Sequence, residues 1–372
     1  MNLSDNPHKV KPIALYLPQF HPIPENDIWW EKGFTEWTNV TKSKPKFAGH
    51  YQPHLPADMG FYDLRVVETH MAQAALAKNY GIYGFCYYHY WFNGHLLLEK
   101  PLHLVLENPQ IDMPFCLCWA NENWSRRWDG RDQDLLKEQN YTPEDDYNHI
   151  HYLLRFFHDD RYIKIDGKPV FLIYRSELHP DIVAAVDIWR TETKKAGFPD
   201  LFLIRVENFE KNLNPKVHNC DAGLEFAPDF FVFENNEPYI NPTINRIMET
   251  AHKYGLYKKE YFENNVYSYK TLVERTLNKK EFDYKYFRSV CPSWDNSARR
   301  EASATIFKDS TPELFEYWFR ETIKKTAKKF NEEERFIFIN AWNEWAEGCH
   351  LEPDRKWGKA YLEAVKKGLA KN

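Results

Sequence analysis

Short apolar runs recur along this chain, with room for a helix between most of them. Eight read as strands: Ile13–Leu17, Ile82–Tyr88, Pro114–Trp119, Val170–Tyr174, Leu201–Val206, Ala222–Phe226, Phe287–Cys291 and Arg335–Asn340. Each is bounded by polar, Gly or Pro residues, and most are apolar throughout, as expected of strands buried on both faces. Between them, apolar residues repeat at three- and four-residue spacing. The pattern predicts helices over Leu64–Tyr80, Leu96–Glu107, Pro143–Asp159, Asp181–Ala196, Thr311–Phe330 and Trp357–Leu369. In the first, Leu64, Val67, Met71, Ala74 and Ala75 share a face, with Asp63 as cap and Gly81 as stop. In the fifth, Leu314, Phe315, Trp318, Phe319, Ile323 and Ala327 form the apolar face, and Ser310 with Glu313 forms a capping box. Strands alternating with helices imply a parallel sheet, and eight such units imply a closed (β/α)₈ barrel. An open doubly wound sheet would normally carry a glycine-rich turn after its first strand. Here that turn reads Leu17-Pro18-Gln19-Phe20.

Three stretches fall outside the pattern. Residues 1–11 read as a flexible tail, leaving a single domain over 12–372. A long loop follows the first strand through His54 and carries Trp29, Trp30, Phe34 and Trp37; loops of this length inside a domain are usually functional. Residues 228–286 read as an insertion at the top of the barrel, a lid candidate, with one helical piece near Ser268–Leu277. A chain of 372 residues accommodates one barrel with such insertions.

Composition narrows the function. The net charge of −5 gives no electrostatic footprint for nucleic acid. No glycine-rich phosphate loop occurs, which argues against nucleotide binding by that route. No run of about 18 apolar residues exists to span a membrane. Met1 to Lys11 is polar, without the basic and apolar regions of a secretory signal, so a cytoplasmic protein is expected. Several of the six cysteines fall within apolar runs, where a free thiol behaves as a small hydrophobe. Aromatic residues make up 17% of the chain, including 13 Trp and 23 Tyr. They suit either a large core or a cleft lined with flat faces for sugar rings.

Polar and aromatic residues gather where the strands end. Tyr16, Gln19 and His21 follow the first strand, Tyr88, His89 and Trp91 end the second, and Trp119, Asn121, Glu122 and Trp124 the third. Tyr174, Glu207, Trp294 with Asp295, and Asn343 stand at later ends, and Trp30 and Trp37 lie in the first loop. In a barrel the C-terminal strand ends face one cleft, so these residues are candidates to bind substrate. The densest chemistry is Trp342-Asn343-Glu344-Trp345-Ala346-Glu347-Gly348. Glycoside cleavage needs a proton donor for the leaving oxygen and a second carboxylate. Two carboxylates three residues apart lie roughly 5–6 Å from each other if the chain turns helically, a separation that suits retention of configuration. Trp342 and Trp345 would raise the pKa of the less solvated carboxyl. Glu352 and Glu122 are further acids nearby, and the motif alone leaves open which of them partners Glu347. His149-Ile150-His151 lacks ligand spacing, and Asp132-Gln133-Asp134 is a common pattern of polar loops. Neither a metal nor another cofactor is therefore expected, and no nucleophilic Ser or Cys signature occurs.

Several stretches together resemble one family. They are Ile13-Ala14-Leu15-Tyr16-Leu17-Pro18-Gln19-Phe20-His21-Pro22, Gly33-Phe34-Thr35-Glu36-Trp37-Thr38-Asn39-Val40, Gly84-Phe85-Cys86-Tyr87-Tyr88-His89-Tyr90-Trp91, Trp119-Ala120-Asn121-Glu122-Asn123-Trp124 and Ala341-Trp342-Asn343-Glu344-Trp345-Ala346-Glu347-Gly348. The resemblance is to the WbsX-like domain, carried by proteins labelled glycosyltransferases of surface-polysaccharide loci. Through the last motif the chain also resembles glycoside hydrolase family 99, the endo-α-mannosidases and endo-α-mannanases. That resemblance implies a (β/α)₈ barrel and a retaining, metal-free mechanism on an α-linked oligosaccharide or polysaccharide. In the family 99 motif E-W-H-E-G the first Glu is a base on the sugar 2-hydroxyl, which displaces the leaving group to give a 1,2-anhydro sugar. The second Glu is the acid and then the base. By position these are Glu344 and Glu347, and Ala346 stands where that family has His. A glycosyltransferase of O-antigen or capsular polysaccharide and a non-catalytic glycan-binding barrel are the alternatives.

Overall fold

The computed structural model describes residues 7–126, 131–208, 210, 212–233, 246–247, 250–251, 253–256, 264–300 and 302–370. Eight parallel strands form the barrel: β1 (Lys11–Tyr16), β2 (Gly84–Phe92), β3 (Phe115–Trp119), β4 (Lys168–Ile173), β5 (Phe202–Glu207), β6 (Ala222–Glu225), β7 (Tyr286–Val290) and β8 (Phe336–Ile339). Each pairs with its sequence neighbour in this series, and β1 also pairs with β8, with Ala14 opposite Ile339, so the sheet closes on itself. Closure buries every strand on both faces, which is why β8 is Phe-Ile-Phe-Ile with all four residues buried. Helices follow seven of the strands: α1 (Val67–Asn79), α2 (Lys100–Glu107), α3 (Pro143–Phe157), α4 (Ile182–Lys195), α5 (Tyr269–Leu277), α6 (Pro312–Lys329) and α7 (Ala360–Ala370). A single 3₁₀ turn, Pro215–His218, follows β5. Among the described residues no helix is long and apolar enough to cross a membrane.

The helix ends follow local chemistry. Thr142 caps α3 by accepting from the Asp145 N–H, and Asp181 caps α4 by accepting from the Ala184 N–H. At α6 the cap sits one residue later than the expected Ser310–Glu313 box. Thr311 accepts from the Leu314 N–H and Pro312 takes the first helical position, where its missing N–H costs nothing. Helix α1 departs further from expectation. It begins at Val67, and Asp63 accepts from the N–H of Arg65 instead of capping it. Its buried face is His70, Gln73, Ala74 and Ala77, while Met71 is 42% exposed. Polar groups can face the interior here because partners await them. Tyr16 donates to Gln73 at 2.6 Å, Gln73 donates to Glu352 at 2.7 Å, and His70 lies 2.9 Å from the Leu64 carbonyl.

Further boundaries move. Leu96 is not helical: Asn93-Gly94, both at positive φ, turn β2 back into a hairpin with His95–Leu97, and α2 starts only at Lys100. The tail expectation covered 1–11, but Val10 is buried and Lys11 opens β1; residues 1–6 lie outside the described residues. Much of the expected insertion, 234–245, 248–249, 252 and 257–263, also lies outside them. Its later part is barrel structure. Asn265–Ser268 pairs with Thr305–Lys308, and α5 buries Tyr269, Leu272 and Val273 in the main core, the Tyr269 hydroxyl donating to the Cys291 carbonyl at 2.6 Å.

Gly84 opens β2 where it passes the end of the α2–β3 connection. A Cβ there would stand 2.7 Å from the Pro114 carbonyl oxygen and 3.0 Å from the Ile163 side chain. Gly84→Ala should therefore lower stability by about 1–3 kcal/mol, read as a lower denaturation midpoint. An unmoved midpoint would contradict so close an approach of β2 to that carbonyl.

Candidate active site

After β8 the chain runs through Trp342 and makes a tight excursion. Asn343–Glu344 pairs antiparallel with Cys349–His350, and a 3₁₀ turn, Trp345–Glu347, joins them. Gly348 ends the turn at φ +56°. A Cβ there would lie 3.0–3.2 Å from Asp295, so the position needs glycine twice over. The turn is fastened on both sides. Asn343 accepts from the Leu17 N–H at 2.7 Å and donates to the Leu17 carbonyl at 3.0 Å, joining the end of β8 to the end of β1. The Asp295 N–H donates to the Glu347 carbonyl at 2.7 Å, joining it to the loop after β7. Asp295 also accepts from the Ser297 N–H, from Gln52, and sits 2.6 Å from His50.

The result is a cluster of three carboxylates around one guanidinium. Arg299, just past the 3₁₀ turn Asn296–Ala298, contacts Glu344 at 2.8 Å through Nη2 and Glu347 at 2.6 Å through Nη1. Its Nε donates to Glu36 at 2.9 Å. Glu36 is fully buried at the start of the helix Glu36–Lys42, and its N–H donates to the Gln19 carbonyl. Burial, Glu347 and Glu36 together push the Glu344 carboxyl up to about 8 against the opposing pull of Arg299. Burial also raises Glu347, which Arg299 again opposes. The two acids share one guanidinium and both are pushed upward, so they titrate as a coupled pair.

This cluster forms one wall of a cavity of about 720 Å³ at the C-terminal ends of the strands. Of the residues expected there, Gln19, Trp30, Tyr88, Glu122, Trp124, Tyr174, Trp294, Glu344 and Glu347 line it. Its aromatic surfaces pack on one another, with Tyr88 on Tyr174, Tyr174 on Phe226, Phe230 on Trp294 and Tyr90 on Trp124. Burial together with the nearby glutamates holds the phenols of Tyr88, Tyr90 and Tyr174 well above their usual range, so they remain donors. Asn208 donates to the Tyr174 oxygen at 2.6 Å.

The remaining expected residues do not line this cavity. On β2 the side chains alternate. Tyr88 and Tyr90 face the cleft, while His89 and Trp91 face α3, where His89 meets His149 at 3.0 Å and Trp91 donates to Asp145 at 2.8 Å. Trp119 packs outward on Trp189. Tyr16 lies beneath, bonded to Gln73; His21 is buried, which lowers its pKa to about 4; Trp37 donates to the Tyr62 carbonyl. Asn121 braces the backbone of Arg175, which pairs with Glu122, and Glu207 accepts from Tyr284. Asn343 and Asp295 hold the loops together, as described. Glu352 is behind the site, accepting from Tyr62, Gln73 and Trp345, and burial pushes it up to about 7. Trp345 thus serves Glu352 and leaves the raising of Glu344 to burial and neighbouring charge. Ala346 is fully buried, so a side chain at that position does not reach the cleft. His149 and His151 point to different partners, His89 and Glu192. The side chains of Asp132 and Asp134 lie outside the described residues.

Glu36, Tyr90, Asn208, Phe226, Phe230 and Arg299 were not anticipated. A signal existed for two of them. Glu36 and Tyr90 sit inside stretches that already resemble the family, without a role assigned to either.

A closed barrel with two raised, paired carboxylates in an aromatic cleft at its strand ends is an arrangement suited to glycoside chemistry. The chain belongs to the family described as Glycosyltransferase WbsX, which it matches over residues 12–365. It is 39% identical over 362 residues to the protein of Xanthomonas campestris pv. campestris (strain B100) called "Uncharacterized protein WxcX", covering 96% of this chain and 49% of that protein. The chain thus spans about half the length of the curated relatives it matches. Among solved structures it is similar to a "Glycoside hydrolase-like protein" (TM-score 0.58, 15% identity, 97% of this chain and 94% of the other). It is also similar to the GH99 endo-alpha-mannosidase from Bacteroides thetaiotaomicron (TM-score 0.56, 14% identity, 98% and 96%). At such identities these likenesses concern the fold.

The electrostatics predict a pH dependence of stability. Unfolded, Glu344 releases its proton near 4.5, whereas the native protein keeps it to about 8. The native state therefore binds more protons across that window, and stability falls as pH rises through it. Glu344→Gln should flatten the fall in Tm between pH 5 and 8. Arg299→Met should steepen it, costing about 3–5 kcal/mol above pH 8 and little near pH 4, where the acids are protonated in both states. Parallel Tm–pH curves for all three proteins would contradict the cluster.

Proposed function

We propose that the protein cleaves α-linked polysaccharide as a retaining glycoside hydrolase, with Glu344 and Glu347 as the working pair. The observation that carries this reading is one guanidinium holding two raised carboxylates at the rim of an aromatic cavity. Glu344, the more buried, is the base. It takes the proton of the sugar 2-hydroxyl as O2 attacks C1 and the glycosidic bond breaks. Glu347, whose side chain is 20% exposed against 7% for Glu344, gives its proton to the leaving oxygen. Water then enters: Glu347 takes its proton, the hydroxide opens the 1,2-anhydro ring at C1, and O2 recovers its proton from Glu344. Two inversions give retention. The cycle starts with the shared proton on Glu347, so substrate binding must draw it from Glu344, where burial otherwise favours it. Arg299 stays charged throughout and limits repulsion when both acids are ionised. The aromatic faces of Trp30, Trp124 and Trp294 offer apolar surfaces to sugar rings, and the Tyr hydroxyls offer donors.

A second reading, transfer of sugar to a growing surface polysaccharide, is favoured by the description of the family. The two separate on incubation with α-linked bacterial glycans and mannans. Hydrolysis releases oligosaccharide without nucleotide sugar, whereas transfer releases nucleotide only when nucleotide sugar is supplied.

The roles are tested with α-glycosyl fluorides of the sugar identified, whose leaving group needs no acid. Glu347→Gln should lose about 10²–10⁴-fold on the natural linkage and little on the fluoride, while Glu344→Gln loses on both. The opposite pattern would reverse the assignment.

A further inference from the structure

Outside the cleft, the loop after β1 meets the segment that follows the catalytic turn at a second polar cluster. His54, His350 and Asp354 are buried there, and one ligand atom from each lies within 4.8 Å of the others. We propose that these three side chains bind a late first-row divalent cation, best matched by zinc, as a structural clasp behind the strand that carries Glu344. Two imidazole nitrogens and a carboxylate oxygen are a donor set for borderline ions of that class.

The neighbours of the three residues are those of ligands. His350 Nδ1 lies 2.9 Å from the Glu352 carbonyl, which can only accept, so Nδ1 carries the proton and Nε2 presents its lone pair. That lone pair accepts from His54 Nδ1–H at 2.9 Å, and a bound ion would displace this proton, since both nitrogens must be unprotonated to hold it. Imidazoles bound to a metal commonly donate their other nitrogen to a carbonyl in this way, and bound carboxylates are themselves hydrogen-bonded. Asp354 meets the second condition, accepting from the Trp357 N–H at 2.6 Å and the Tyr51 hydroxyl at 3.1 Å. Charge points the same way. Asp354 is 2% exposed, and among the described residues no Lys or Arg forms an ion pair with it. Lys356 lies instead over the rings of Tyr51 and Trp357, at 4.6 and 4.9 Å from their centres. A buried carboxylate without counter-charge is costly, and a divalent cation supplies that charge. A cavity of about 120 Å³ is lined by His54, His350 and Asp354, enough for the ion and a water in its fourth position, since a water takes about 30 Å³.

None of the three side chains lines the catalytic cavity, so the ion would hold structure and take no part in bond cleavage. The backbone already joins the two segments, Ala57 N–H to the Pro353 carbonyl and Arg355 N–H to the Leu55 carbonyl. His350 stacks on Trp345 at 3.8 Å, and its strand pairs with Asn343–Glu344. A cation here would thus tie the first loop to the back of the catalytic turn, whatever reaction the cleft performs.

The test uses the untagged full chain, stripped with a chelator and dialysed, then titrated with Zn²⁺ by calorimetry and with Co²⁺ by visible absorption. One equivalent should bind with Kd below about 1 μM. Co²⁺ should show four-coordinate bands, and Zn²⁺ should raise Tm. Asp354→Asn and His350→Gln, each checked for folding by circular dichroism, should weaken binding at least 100-fold. Absence of a one-equivalent site in the stripped wild type would overturn the proposal, as would unchanged binding in both variants.

Discussion

Glu36 reaches Arg299 from the loop after β1, and Glu344 and Glu347 from the turn after β8, and none of the four is more than partly exposed. Taking a carboxylate out of water costs on the order of several kcal/mol even after relaxation. Three of them can share a site only with a cation among them and a proton retained. Arg299 supplies the cation in a fork whose planar geometry suits several oxygens at once. The retained proton is the chemically useful consequence, because an acid that stays protonated at neutral pH can donate to a leaving group.

The surrounding scaffold follows from keeping those loops in register. The barrel brings the ends of β1, β7 and β8 side by side, each adjacent pair of ends is fastened by a polar contact, and the loop after β1 is braced by one more. Asn343 joins the ends of β8 and β1 through the Leu17 backbone, Asp295 joins the ends of β7 and β8 through the Glu347 carbonyl, and the Gln19 carbonyl holds the N–H of Glu36. Asp295 and Asn343 are therefore positioning residues. Behind them, Tyr62, Gln73 and Trp345 saturate Glu352 and keep a second buried acid away from the cleft.

The fold was largely legible in the sequence because closure of a parallel barrel demands apolar runs, and all eight runs are strands. The site was legible only in part, and the reasons are physical. The reading at the end of β2 took Tyr88, His89 and Trp91 together. A strand shows alternate residues to opposite faces, so Tyr90 belongs with Tyr88, and the other two face α3. Helix α1 turns a different face inward from the one its apolar spacing marks, because its core-facing residues are polar and satisfied by groups distant in sequence, such as Glu352. The Asn93-Gly94 pair is the local signal for the hairpin that ends β2. Arg299 and Glu36 are 263 positions apart, and no local pattern announces a pair at that separation. The His54–His350–Asp354 cluster escaped for the same reason.

The central claim is that the Arg299 cluster retains a proton at neutral pH. It is tested most directly by carbon-13 NMR of the protein labelled at glutamate side-chain carboxyls, titrated from pH 4 to 10, with Glu344→Gln and Glu347→Gln used to assign the signals. The predicted result is that Glu344 titrates near 8 and Glu347 above its ordinary value, the two curves coupled so that removing one acid lowers the other. Two independent titrations near 4.5 would contradict it, leaving Arg299 as a simple counter-ion and the cleft without an acid at neutral pH.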